Sequence, residues 1–184
     1  MENQLVKLAE TTLIILEKKY WDKISLKDVL KNTTSLSDKT RNKISNKKYL
    51  LTNINKYFDS QIKKSSDRID QSNRKDMFFE VLMMRFDSLQ KYRRAILSIF
   101  DSFKKKPQEL IFLLPSFIDS IVFMANLSNI SINGFRGNVK IKGLLIVYFS
   151  SFLVWKNDNN ESLEKTMTSL DVYLDRADKF LKIF

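Results

Sequence analysis

Ser25-Leu-Lys-Asp-Val-Leu-Lys-Asn-Thr-Thr-Ser-Leu-Ser37-Asp-Lys-Thr-Arg-Asn-Lys-Ile44 reads as two short helices separated by a tight turn. Ser25 stands three residues before Asp28, the spacing in which each side chain can reach the other's backbone N–H and cap a first helical turn. Ser37 is placed to cap a second helix that opens Asp38-Lys39-Thr40-Arg41. Leu26, Val29 and Leu30 supply the inward face of the first helix, and Leu36 and Ile44 bracket the second. The pattern predicts a helix-turn-helix, with Lys39, Thr40, Arg41 and Lys43 offered to a nucleic-acid groove. From Lys31 to Lys48 there are six basic residues (Lys31, Lys39, Arg41, Lys43, Lys47 and Lys48) against Asp38 alone. Cations at this density can displace counterions from phosphate, although a solvated basic face gives the same window.

Outward from this motif the chain continues as helices. One is expected over about 2–20, with Leu5, Leu8, Ala9, Leu13 and Leu16 on one face. Trp21 follows as an aromatic plug beneath the small N-terminal bundle. Asn46 is placed to cap a helix with Tyr49, Leu50, Ile54, Tyr57, Phe58 and Ile62. The polar run from Lys63 to Lys75 is a helix end plus a linker, so a first domain is expected over 1–62 and a second over 74–184. In the second, Phe79, Leu82, Met83, Phe86 and Leu89 form a stripe that breaks near Tyr92, and Lys104-Lys-Lys106 with Pro107 marks a stop and a new start. The helix from Pro107 to about Leu127 is apolar on nearly every side and is expected to be buried all round. Pro115 should kink it, and a kinked helix carrying Leu113, Phe117, Ile121 and Met124 can border a cavity or simply fill the core.

After the loop 132–137 a helix is expected over about 138–155. In the last helix Leu163, Met167, Leu170, Leu174, Ala177 and Leu181 recur at alternating four- and three-residue spacing, a heptad-like seam. Such a seam with 143–155 builds a four-helix interface between two subunits, or packs within one chain.

Composition narrows the function. The chain has 184 residues, three Gly and two Pro, too little turn chemistry for many strands, so the expected class is all-α. No Cys and no His are present, which removes disulfides, thiolate and imidazole metal sites, Cys nucleophiles and Ser-His triads. Glu161 with Glu164, or Asp171 with Asp175, has the spacing of an ordinary solvated helix face, and no Gly-rich phosphate loop occurs, so neither an enzyme nor a cofactor or metal is expected. The formal net charge of +11 suits a polyanionic partner, and an AT-rich genome yields the same excess of Lys without one. The chain opens Met1-Glu-Asn-Gln with no secretory leader, and the longest apolar stretch, 143–155, is shorter than a membrane span, so a cytoplasmic protein without an integral membrane segment is expected.

Trp21-Asp-Lys-Ile-Ser-Leu26, the Ser37-initiated helix and Lys47-Lys-Tyr-Leu-Leu51 together resemble the N-terminal domain of TetR-type transcription regulators. The remaining helices match the larger ligand-binding and dimerising domain of that family in number and length. In the second half, Met83-Met-Arg-Phe-Asp-Ser-Leu89 and Leu170-Asp171 with Leu174-Asp-Arg-Ala177 resemble α-proteobacterial TetR-like proteins related to the lipid-binding accessory protein of coenzyme Q biosynthesis. The resemblance implies a TetR-like all-α fold and two possible jobs, between which fold does not choose.

The first job is a dimeric DNA-binding regulator that responds to a small apolar ligand, with Ser37, Lys39, Thr40, Arg41, Lys43 and Lys47 on the DNA. Its pocket would be Phe86, Leu113, Phe117, Ile121, Met124, Tyr148 and Phe152. Its homodimer interface would be Leu144, Tyr148, Trp155, Leu163, Met167, Leu170 and Leu174. The alternative is a lipid- or isoprenoid-binding accessory protein in ubiquinone biosynthesis without specific DNA binding. Where the regulators carry a Gly, a Tyr and a Phe in the recognition helix, this chain has Lys39, Asn42 and Ile44, so their aromatic anchor to the phosphate backbone is missing.

Overall fold

The computed structural model describes residues 2–34 and 36–184, without the side chains of Glu2, Lys43 and Arg68. Nine α-helices and no strand occur among them: α1 (Glu2–Leu16), α2 (Leu26–Asn32), α3 (Asp38–Lys43), α4 (Lys48–Ser65), α5 (Arg74–Gln90), α6 (Arg93–Phe103), α7 (Pro107–Leu127), α8 (Gly134–Trp155) and α9 (Glu164–Leu181). The class is all-α. Contacts group residues 1–60 with 88–116 in a first unit and 61–87 with 117–184 in a second.

In the first unit α1 lies on α2 and α6. Leu8, Leu13, Leu16, Trp21, Val29, Leu50, Ile54, Phe58 and Ala95 are its buried core. Helix α1 ends at Leu16 rather than near Tyr20. Glu17 has a longer-range partner: its carboxylate accepts the backbone N–H of Ala95 at 3.1 Å and so caps the first turn of α6. The next residues pass through a turn into a short 3₁₀ segment, Trp21–Lys23. Trp21 is wholly buried, its backbone N–H donating to Ser98 Oγ and its Nε1–H to Glu109 Oε2, both at 2.8 Å. Asn46 Oδ1 accepts the Tyr49 N–H at 3.2 Å at the start of α4.

In the second unit α8 packs along α9. Leu144, Tyr148 and Trp155 of α8 and Leu163, Leu170 and Leu174 at or in α9 are buried inside the single chain. Leu163, Leu170 and Leu174 of the heptad-like seam are therefore covered within the chain, whereas Met167 and Leu181 are exposed. Of the seven residues expected between subunits, only Met167, 42 % exposed, is open to a partner. The physical reason is that a seam dictates that a helix face be covered and is indifferent to which chain covers it.

Two further expectations are corrected. Helix α7 is not buried on all sides, since Ile111, Phe112 and Ile118 are exposed. Helix α8 starts at Gly134, four residues earlier than expected, because Gly134 takes a φ of +67° that turns the chain into the helix. Both α7 and α8 are long and apolar enough to cross a bilayer by length and composition alone, although the stretch 143–155 by itself is not, and core helices of water-soluble proteins meet the same criteria.

The start of α9 has no cap of its own, because Leu163 offers no side-chain acceptor and sits at φ 54°. Asp158 substitutes from outside the helix: its Oδ2 accepts the N–H and the hydroxyl of Thr166, both at 2.9 Å. Burial raises the carboxyl's affinity for a proton, but the hydrogen bonds from Thr166 and Asn160 outweigh it and hold Asp158 below the ordinary Asp value. A carboxylate depressed in the folded state contributes stability that is present above its unfolded pKa and is lost as pH falls through the lower folded value. Asp158→Ala is expected to cost about 1–2 kcal/mol in urea unfolding at neutral pH, with a smaller difference from the parent in strong acid.

Candidate nucleic-acid interface

Both caps inferred around the turn are formed. Ser25 Oγ accepts the Asp28 N–H at 3.2 Å while Asp28 Oδ2 accepts the Ser25 N–H at 2.9 Å, a reciprocal capping box. The Ser25 hydroxyl, which also donates to Asp28 Oδ2 at 2.7 Å, and then the Ser25 N–H hold the Asp28 carboxyl below its ordinary value. Ser37 Oγ accepts the Thr40 N–H at 3.3 Å at the start of α3.

The position of α3 depends on a residue that the sequence pattern did not reveal. Gln4 of α1 accepts the Thr40 hydroxyl at 2.7 Å and the Ser37 hydroxyl at 3.1 Å, so one amide oxygen ties the second helix of the motif to the first helix of the chain. Thr40 is consequently turned inward and only 3 % exposed, which takes it away from any groove it was expected to touch. Ile44 is buried as well. The outward face of α3 is left to Asp38, Lys39, Arg41 and Asn42, all exposed, and on α2 Lys27 and Lys31 are exposed too. The side chain of Lys43 lies outside the described residues.

Lys47 is also committed internally. Its ammonium donates to the carbonyl of Trp21 and lies 4.2 Å above the centre of the Trp21 ring. Burial and the neighbouring charge of Lys106 lower its affinity for a proton, against the opposing pull of Glu109 and Asp22. Lys106 itself is paired with Asp22 at 2.8 Å. Lys47 therefore anchors the segment before α2 to the start of α4, and Lys39 and Arg41 are the described basic side chains of α3 that stand free toward solvent.

The residues expected to line a ligand pocket are all buried or half-buried. Leu113 belongs by its contacts to the first unit and the other six to the second. Within the second unit the rings form a chain of direct contacts. Phe86 stacks on Tyr148 at 5.9 Å, Phe117 lies 5.9 Å from Tyr148, and Phe152 lies 5.2 Å from Trp155. Arg85, 1 % exposed and not singled out in the sequence, donates from Nε to the Tyr148 hydroxyl at 3.2 Å, with its guanidinium 5.4 Å over the same ring. Tyr148 thus has aromatic neighbours and a cation around it. Among the described residues no group of three acidic, His or Cys side chains could hold a metal ion.

Neither a protein-family profile, nor a curated protein, nor a solved structure matches this chain.

Proposed function

We propose that this protein is a TetR-like DNA-binding transcription regulator with a variant recognition helix, acting as a homodimer and responding to a small apolar ligand in its second unit. The observation that carries the reading is the capped α2-turn-α3 arrangement, with Thr40 and Ile44 turned inward and Lys39, Arg41 and Asn42 outward. A helix that turns Thr40 into the core, with Ile44 buried just past its end, and directs Lys39, Arg41 and Asn42 to solvent presents a short basic edge to a groove. Arg41 is assigned to a base edge, where guanidinium can pair with guanine in two bonds, and Lys39 to phosphate. With Leu163, Leu170 and Leu174 buried within the chain, a second subunit has the exposed Met167 of α9 and Ile146 and Leu153 of α8 available to it.

The test is fluorescence anisotropy on duplex from upstream of the gene against a scrambled duplex, titrated with salt. Preference for the native sequence is expected. Arg41→Ala should cost about 1–3 kcal/mol and relax that preference, whereas Lys39→Ala should weaken both duplexes alike and reduce the slope of log K against log salt by about 0.9. Equal, weak binding to both duplexes would end this reading in favour of the lipid- or isoprenoid-binding accessory role, whose own test is mass spectrometry of an organic extract from the purified protein.

A further inference from the structure

The first unit holds an open cleft of about 460 Å³ between the turn that follows α1 and helix α6. Its basic side chains are Lys91, Arg93 and Arg94, and its acids are Glu17 and Asp101. Both acids are already engaged. Glu17 accepts the Ala95 N–H at 3.1 Å, and Asp101 Oδ1 pairs with Lys104 at 2.9 Å. Arg93 donates from Nη1 to Gln90 Oε1 at 3.0 Å, which steadies its guanidinium. Lys91 and Arg94 are exposed, and among the described residues neither is paired with an acid. Arg94, Leu97, Ser98 and Asp101 recur at helical spacing, so they share one face of α6 and line the same cleft. The Trp21 N–H donates to Ser98 Oγ at 2.8 Å, which brings the preceding residue, Tyr20, against the middle of that face. Tyr20 also lines the cleft, and its side chain is 67 % exposed, outside the core.

Two unpaired cations in one cleft suit a ligand group of about two negative charges, which a phosphate monoester carries near neutral pH and a carboxylate does not. The Arg94 guanidinium can grip two phosphate oxygens at once, and the Lys91 ammonium can take a third. A phosphate alone leaves most of this volume empty. What adjoins it meets the Tyr20 ring and half-buried Leu97 at the middle of the α6 face, a place for a flat aromatic group. Asp101 lies beyond, about 10 Å along α6 from Arg94, with Oδ2 left to accept an N–H. Phosphate, flat ring and N–H edge follow one another in that order in a purine mononucleotide. We propose that this cleft binds a purine mononucleotide, with its phosphate on Lys91 and Arg94, its base on Tyr20 and the edge of the base toward Asp101. Gln4, which ties α3 in place, is separated from Leu16, the last residue of α1, by about 18 Å of helix. The cleft is therefore at the opposite end of α1 from the candidate nucleic-acid interface, and the proposal does not rest on DNA binding.

The experiment is isothermal titration calorimetry of the full chain with adenosine monophosphate and guanosine monophosphate, and with adenosine and inorganic phosphate alone. Saturable binding of at least one of the two nucleotides is expected, at least about tenfold tighter than that of adenosine or phosphate. Lys91→Gln with Arg94→Gln should lower the nucleotide affinity on the order of a hundredfold, since each charge-assisted contact is worth roughly a factor of ten. Tyr20→Ala should lower it about tenfold through lost stacking and leave phosphate binding as it was. All three side chains are exposed, and unchanged melting temperatures of the variants ensure that folded proteins are compared. The absence of saturable binding by either nucleotide at millimolar concentration overturns the proposal, as does undiminished binding by the Lys91/Arg94 double variant. Inorganic phosphate bound as tightly as the nucleotides, with no effect of Tyr20→Ala, overturns it too, because the cleft would then be a seat for an anion only. Duplex DNA binding that is lost in the double variant, in a protein that takes up neither nucleotide, would overturn it by assigning the two cations to a phosphate backbone.

Discussion

Trp21→Ala is expected to destabilise the protein by about 3–5 kcal/mol, the cost of emptying a large buried ring site, and to lower the melting temperature by roughly ten degrees. The loss has two separable parts. The first is packing, since the indole is wholly buried. The second is polar: Nε1–H donates to Glu109 Oε2 at 2.8 Å, and Glu109 is itself buried, so removing the donor leaves a carboxylate with one partner fewer away from water. Trp21→Phe keeps most of the packing and deletes only that bond, and it should cost about 1–3 kcal/mol. The ring also carries the Lys47 ammonium on its face, 4.2 Å from its centre. In Trp21→Ala that cation loses its seat, and the entry to α2 loosens together with the helix that supports α3. Urea unfolding followed by circular dichroism measures both variants against the parent. A cost below about 1 kcal/mol for Trp21→Ala would mean that the indole is not the plug holding the first unit together.

Features that were legible in the sequence are those whose partners are close along the chain. The Ser25–Asp28 box and the Ser37 cap join residues three apart, so residue type and spacing were enough. The break at Tyr92 and the new helix at Pro107 were legible for the same reason, as breakers act where they stand. Polar contacts across the fold have no such signature. Gln4 meets Thr40 across 36 positions, Glu17 meets Ala95 across 78, and Trp21 meets Glu109 across 88. The first of these turns Thr40 inward and so changes which side chains of the candidate interface face outward. Apolar pattern was likewise informative about faces and silent about partners. Leu163, Leu170 and Leu174 are buried as a seam should be, yet by α8 of the same chain. For α7 the composition was nearly uniform around the helix, which removed the contrast that would have marked Ile111, Phe112 and Ile118 as the exposed side.

Gly137→Ala should reverse the usual effect of that substitution inside a helix. Alanine in place of a mid-helix glycine ordinarily gains about 0.5–1 kcal/mol, because glycine loses more backbone freedom on folding. At Gly137 a Cβ would stand 1.8 Å from the carbonyl oxygen of Ile132 and 2.0 Å from its carbonyl carbon. Both are backbone atoms, so no rotamer change relieves the clash, and either the loop before α8 or the first turn of α8 must move. That turn begins with the Gly137 N–H donating to the carbonyl of Asn133 at 3.1 Å, which a shift would break. The expected cost is on the order of 3 kcal/mol or more, large for a one-carbon change. Two neighbouring glycines supply the scale. A Cβ at Gly143 would lie 2.5 Å from Leu181 Cδ1, the movable end of a side chain, so Gly143→Ala should cost only about 1 kcal/mol. Gly134 has open space around it and is constrained by its φ of +67° alone, so Gly134→Ala should cost about 1–2 kcal/mol through backbone strain. Thermal melts of the three variants should therefore rank Gly137→Ala lowest by a wide margin. A neutral or stabilising Gly137→Ala would mean that the chain does not pass this close to itself. The tight entry to α8 would then have to be redrawn.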